Sequence, residues 1–175
     1  MPIKSRIRTI PHYPREGVQF RDITTLLKDA KGLRATVNML VDRYTAEPID
    51  NVAGIEARGF ILGAVVAYAL GVGFVPIRKK GKLPGEVIVE DYELEYGIDR
   101  VEVHSDAIGA GESVLLIDDL IATGGTAQAA IRLAEKSGGR IFECGFIVDL
   151  PDLGGRARLE AAGYDVFALC AFEGE

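Results

Sequence analysis

One run of thirteen residues limits what this chain can become: Val114-Leu115-Leu116-Ile117-Asp118-Asp119-Leu120-Ile121-Ala122-Thr123-Gly124-Gly125-Thr126. Four consecutive aliphatics suit a strand covered on both faces, as in a parallel sheet. Two adjacent carboxylates follow, then a small-residue loop where a helix can begin. Ala122 to Thr126 offers backbone N–H groups, two hydroxyls and two glycines at that helix start. Orphan N–H groups and the helix dipole favour an anion there, and glycines let a phosphate approach the backbone. Acids beside a phosphate loop make sense when the ligand also carries sugar hydroxyls or a divalent cation. A phosphorylated ribose with Mg²⁺ satisfies both. The plain alternative, a strand end and a glycine turn with solvated acids, explains less of the pattern. A P-loop is excluded because no Lys follows the glycines.

The rest of the chain reads as one domain, 1–175, of alternating strands and helices. Residues 1–21 are mixed, with Pro2, Pro11 and Pro14, and read as an arm or loop with a short helix; 1–31 is the N-terminal arm. Leu33, Val37, Leu40, Val41 and Tyr44 share a helical face, and Pro48 ends that helix. Asn51 to Ile55 is a strand, Glu56 to Gly59 a loop, Gly59 to Leu70 a helix, and Phe74 to Arg78 a second strand. Residues 79–110 depart from this pattern. Val87, Val89, Leu94, Val101 and Val103 alternate with acids, as in exposed antiparallel strands. The Val114 strand follows, then a helix striped by Ala127, Ala130, Ile131 and Ala134 and stopped at Gly138-Gly139. Strands near 142–148 and 165–170 flank a short helix near 156–162.

These elements give an open, parallel, five-stranded α/β sheet with flanking helices and an antiparallel flap or hood. In the flavodoxin-like order 2-1-3-4-5, the first and third strands are neighbours at the switch point. The loops after them, Glu56 to Gly59 and Leu120 to Thr126, therefore face one ligand. The antiparallel excursion lies over that crevice as a flap.

Composition excludes several classes. A net charge of −6 without a basic tail gives no field for nucleic acid. Residues 60–77 carry no charge, but Gly71, Gly73 and Pro76 interrupt them, so they split into a helix and a strand rather than a membrane span. No secretory signal pattern opens the chain. Cys144 and Cys170 lack metal spacing and read as reduced core residues of a cytoplasmic protein. The only dense basic cluster, Arg78-Lys79-Lys80-Gly81-Lys82, suggests an anion site in this acidic chain, with Arg78 and Lys82 favoured. A solvated charged loop is the alternative. Arg58, at a strand-to-helix turn beside the switch point, is a second candidate cation.

The signature run resembles the phosphoribosyl-pyrophosphate motif of the type I phosphoribosyltransferases. Two further segments, Gly17-Val18-Gln19-Phe20-Arg21-Asp22-Ile23-Thr24 and Tyr92-Glu93-Leu94-Glu95-Tyr96-Gly97, are similar to those of the adenine-using branch. Together with Gly54-Ile55-Glu56-Ala57-Arg58-Gly59-Phe60 and the basic loop, the likeness spans Pro11 to Leu153. It departs at Glu16, where Pro is common, and at Gln19, where an aliphatic is more usual.

The resemblance implies transfer of a 5-phosphoribosyl group from phosphoribosyl pyrophosphate to adenine, giving AMP and pyrophosphate. Ala122, Thr123, Gly124, Gly125 and Thr126 would hold the 5′-phosphate. Asp118 and Asp119 would contact ribose hydroxyls and support developing positive charge. Glu56, Ala57, Arg58, Arg78, Lys79 and Lys82 would serve pyrophosphate, with a non-proline cis peptide near Glu56-Ala57. Gln19, Phe20 and Arg21 would meet the base: Phe20 by stacking, backbone near Arg21 by reading the Watson–Crick edge, Gln19 through its amide. Glu95 would be the flap carboxylate in proton transfer, and Tyr96 would close the flap. Residues 1–31 would form a base-binding hood. Mg²⁺ would bind mainly through the substrate pyrophosphate, with no direct protein ligand. A homodimer is expected, and neither nucleic acid nor membrane as partner. Two rivals remain at this point: a 6-oxopurine acceptor, and a nucleotide-sensing regulator built on the same fold.

Overall fold

The computed structural model describes residues 2–94 and 97–174, so Glu95 and Tyr96 lie outside the described residues. A short 3-10 turn, Ile3–Arg6, leads into β1 (Arg8–Pro11), β2 (Gln19–Asp22), α1 (Thr24–Lys28) and α2 (Ala30–Tyr44). Then come β3 (Asn51–Ile55), α3 (Arg58–Leu70), β4 (Gly73–Lys79), β5 (Val87–Leu94) and β6 (Gly97–His104). The chain ends with β7 (Ser113–Ile121), α4 (Gly125–Lys136), β8 (Arg140–Asp149), α5 (Gly155–Ala161) and β9 (Val166–Ala171).

Strands β4, β3, β7, β8 and β9 pair in parallel in that order. Counted from β3, this is the expected 2-1-3-4-5. Hydrophobic alternation explains why β7 must be central. Val114 and Leu116 enter the core beneath α4, while Leu115 and Ile117 enter the opposite core with Leu40, Leu62 and Val66 of α2 and α3. Past the acids the parity reverses: Leu120 packs on the α2–α3 side and Ile121 on the α4 side. Asp118 and Asp119 thus sit at a break in the alternation, inside the strand rather than after it.

Two expectations are corrected. The excursion 79–110 does not stand apart from the sheet: β6 pairs antiparallel with β4 and β5 with β6, making seven strands. The reason is apolar burial, since Tyr92, Val101 and Val103 belong to the core under α4. Glu90 adds polar ties, accepting from Arg132 at 2.5 Å and from Lys136. The arm is also more ordered than expected. β1 and β2 form a hairpin, pairing Ile10 with Phe20 and Pro11 with Gln19, and α1 follows directly.

Asp29 caps α2 by accepting from the amides of Lys31 and Gly32, both at 3.2 Å. Cys144 and Cys170 lie in β8 and β9 and are free. Among the described residues no helix is long and apolar enough to cross a membrane.

Candidate active site

Parallel pairing of β3 with β7 brings their carboxyl ends together. The Glu56–Ala57 peptide after β3 is cis, as the resemblance implied, and α3 starts at the next residue. After β7 the chain turns through Thr123 and Gly124, whose φ of 81° is left-handed, into α4. Arg58, Asp118, Asp119 and residues 120–127 line a cleft of about 170 Å³ there. The first N–H groups of α4 have no carbonyl four residues behind them within the helix, so they are available to an anion in the cleft.

The charges in this cleft are coupled. The Arg58 guanidinium donates to Asp119, which is 4% exposed. Half-buried Asp118 has its carboxyl pushed well above the ordinary value, by desolvation and then by the Asp119 charge. Its Oδ1 accepts from the Asp119 amide at 2.9 Å. Gly59 makes this closeness feasible, because a Cβ there would lie 2.8 Å from the Ile117 carbonyl oxygen and 2.9 Å from Asp118 Oδ1.

The basic loop divides in two. Glu56 accepts from Lys82 and from the Lys79 amide at 2.9 Å, with Arg78 Nε 3.5 Å away. Burial raises its carboxyl, but these partners outweigh that and hold it below the ordinary value. Arg78 also donates to the Lys82 carbonyl at 3.3 Å, while its buried Nε has no hydrogen-bond partner among the described residues. The Lys79 ammonium instead reaches the Tyr92 hydroxyl and, at 3.2 Å, Asp99. Only the Lys79 backbone belongs with Glu56, Arg78 and Lys82.

A second, more apolar cleft of about 320 Å³ adjoins the first, lined by Ile10, Tyr13, Phe20, Asp22, Thr24 and Arg58. Arg58 is common to both. Phe20 meets Tyr13 edge-on at 5.2 Å. Strand alternation puts Gln19 and Arg21 on the other face of β2 from Phe20 and Asp22. The Arg21 guanidinium lies 4.4 Å from the Phe172 ring centre and bonds Thr9 Oγ1 at 2.6 Å. Of the three expected base residues, Phe20 lines the cleft with its ring, and Gln19 and Arg21 do not line it. Ile10, Tyr13, Asp22 and Thr24 were missed. The turn residues Pro14 to Gly17 were the available signal for a hairpin.

A phosphoribosyl transferase domain model matches residues 19–166. The chain belongs to the phosphoribosyltransferase family. An adenine phosphoribosyltransferase from Nitrosospira multiformis is 67% identical over 174 residues, 99% of each chain. The crystal structure of adenine phosphoribosyltransferase from Thermoanaerobacter pseudethanolicus superposes with a TM-score of 0.93 at 48% identity, covering 97% of this chain and 98% of its own. The enzyme from Saccharomyces cerevisiae, solved with an imino-altritol bisphosphate and adenine, gives 0.89 at 39% identity, covering 95% and 96%. These likenesses place the chain in the adenine branch of the family.

Proposed function

We propose that this protein transfers the 5-phosphoribosyl group from phosphoribosyl pyrophosphate to adenine, forming AMP and pyrophosphate in purine salvage. The observation that carries the reading is the meeting of two unlike clefts at Arg58. The helix start and two acids of one suit a phosphorylated sugar; Ile10, Tyr13 and Phe20 of the other suit a flat ring. The names of full-length relatives supply the base.

In this reading residues 1–175 work as one domain, with 1–31 as hood and 79–110 as flap. Ala122 to Thr126 hold the 5′-phosphate. Asp118 and Asp119 take the ribose hydroxyls. The 56–58 backbone, Arg58, Arg78 and Lys82 receive pyrophosphate, and Lys79 contributes through its amide. Phe20 stacks on the base, and Gln19 and Arg21 can reach its edge only through their backbone. Glu95 accepts the proton lost by the ring nitrogen, and Tyr96 closes the flap. The bond from C1′ to the pyrophosphate oxygen breaks as the bond to the nitrogen forms. Charge develops on the ribose ring, so fixed carboxylates and orientation supply most of the acceleration.

Mg²⁺ belongs to the same reading. Among the described residues no three acidic, His or Cys side chains gather as a metal set, and the cleft offers the pair Asp118 and Asp119. Such a donor set fits an ion carried mainly by substrate oxygens and water. When bound, the ion neutralises charge on the leaving group. A homodimer is proposed from the family, and the outward Ile61, Val65 and Tyr68 of α3 give an apolar surface for it. The free cysteines suit a cytoplasmic setting. Conversion of labelled adenine to AMP only when phosphoribosyl pyrophosphate is added tests the reading; no conversion by folded protein contradicts it.

A further inference from the structure

The phosphate loop is backed by a second turn that plays no part in the reading above. Gly154 connects a 3-10 turn, Pro151–Leu153, to α5, which opens with Gly155 and Arg156. The Gly155 amide donates to the Ala122 carbonyl at 2.9 Å. A Cβ on Gly155 would collide with that carbonyl, lie 2.7 Å from the Gly124 nitrogen and 2.9 Å from Ile121 Cγ1. A Cβ on Gly124 would in turn lie 3.1 Å from the Gly155 Cα and carbonyl oxygen. Backbone therefore packs on backbone, and the loop takes its shape from what stands behind it.

The backing turn is itself fastened. Arg156 donates to the Val166 carbonyl at 3.0 Å and to Glu160 at 2.8 Å, with Asp149 Oδ2 3.7 Å from its third nitrogen. Asp149 ends β8, is 4% exposed, and keeps one buried oxygen without a hydrogen-bond partner among the described residues. The adjoining Leu150 amide donates to the Ile121 carbonyl at 3.1 Å. A buried acid left half satisfied is costly, and nothing in the chemistry of transfer uses it.

We propose that Gly155, fastened through the Asp149–Arg156 pair, is a positioning residue for the 5′-phosphate loop. The inference rests on the phosphoribosyl-transfer reading and adds to it. An anion site made of backbone N–H groups works only when those groups are held in one orientation, because the ligand has no side chain to adjust to. Gly155 fixes the Ala122 carbonyl, and with it the peptide planes through Gly124.

The test separates ligands by which end they present. Gly155→Ala and Asp149→Asn are purified beside the unaltered protein, and folding is checked by circular dichroism and thermal melting. Binding of AMP, ribose 5-phosphate and pyrophosphate is then measured by calorimetry, with KM for both substrates. Affinity for AMP and ribose 5-phosphate is expected to fall about tenfold in Gly155→Ala and severalfold in Asp149→Asn. Pyrophosphate affinity and the KM for adenine stay within about twofold. Asp149→Asn keeps the side-chain shape, so it carries the test if Gly155→Ala does not fold. Folded variants that bind AMP as the unaltered protein does would overturn the inference alone. So would an equal loss toward all three ligands, which marks general loosening. An unaltered protein that binds neither AMP nor phosphoribosyl pyrophosphate would overturn the parent reading and the inference with it.

Discussion

The guanidinium of Arg58, at the first turn of α3, is ion-paired with the buried carboxylate of Asp119 near the end of β7. The pair joins the two loops of the switch point, and Arg58 also forms a wall of the aromatic cleft. Its charge lowers the proton affinity of Asp118, opposing the desolvation that raises it. Arg58→Met removes this opposition. The acid limb of the pH profile of kcat/KM for phosphoribosyl pyrophosphate should therefore move to higher pH, and kcat/KM at pH 8 should fall about 10²-fold. A full pH–rate series checks both. An unmoved limb would separate Arg58 from the acid pair.

Asp118 is held in place at the expense of stability. Its folded-state carboxyl is raised, so the folded protein binds this proton more tightly than the unfolded chain. The contribution to stability is full below the unfolded value and is lost as pH rises through the folded one. Asn carries no charge to bury, so Asp118→Asn should raise Tm at pH 7.5 by roughly 2–4 °C. Transfer activity should fall at least about 10²-fold in the same variant. Melting curves at pH 7.5 and pH 4.5 test the sign, since the gain should shrink at the lower pH.

Asp22 behaves in the opposite way. Its carboxyl is lowered to about 2, chiefly by the Arg8 hydrogen bond and against burial. It accepts Arg8 Nε at 3.0 Å and the Thr24 amide at 2.9 Å, tying the hairpin to α1. Its contribution is full above the unfolded value and is lost as pH falls from about 4 toward 2. Arg8 is half exposed, so solvent screening leaves about 1 kcal/mol. Asp22→Asn should be less stable than the unaltered protein at pH 6 and about equal to it at pH 2, as urea titrations at the two pH values would read.

Phe20 is expected to act on one substrate only. Stacking on a base contributes about 1–3 kcal/mol, so Phe20→Ala should raise the KM for adenine about 10–100-fold. The KM for phosphoribosyl pyrophosphate should stay within about threefold, because Phe20 lies in the aromatic cleft and not the phosphate cleft. Initial rates with each substrate varied in turn decide this.

The sheet order was legible because each parallel strand announces itself by an aliphatic run, and β3 matched its expected bounds from Asn51 to Ile55. The run from Val114 to Thr126 was legible as a strand, a turn and a helix start, because an aliphatic run gives way to two glycines. The β1–β2 hairpin was not, because Arg8 to Pro11 and Gln19 to Asp22 carry too few apolar residues to show a period, and the pairing is stabilised by contacts such as Arg21 on Phe172. The break in alternation across Asp118-Asp119 was invisible too, since parity can be read only from the helices that cover each face. Lys79 was grouped with its basic neighbours by sequence, yet its ammonium is held by Tyr92 and Asp99, acceptors 13 and 20 residues away.

AMP synthesis is measured most directly as product formation from phosphoribosyl pyrophosphate with adenine, hypoxanthine or guanine, each with and without Mg²⁺. Mg²⁺-dependent AMP is expected, with IMP and GMP lower by about 10²-fold or more, because amino and oxo groups at the 6-position have opposite hydrogen-bond polarity. IMP or GMP formed as fast as AMP, or no nucleotide from any base by folded protein that binds phosphoribosyl pyrophosphate, would contradict it.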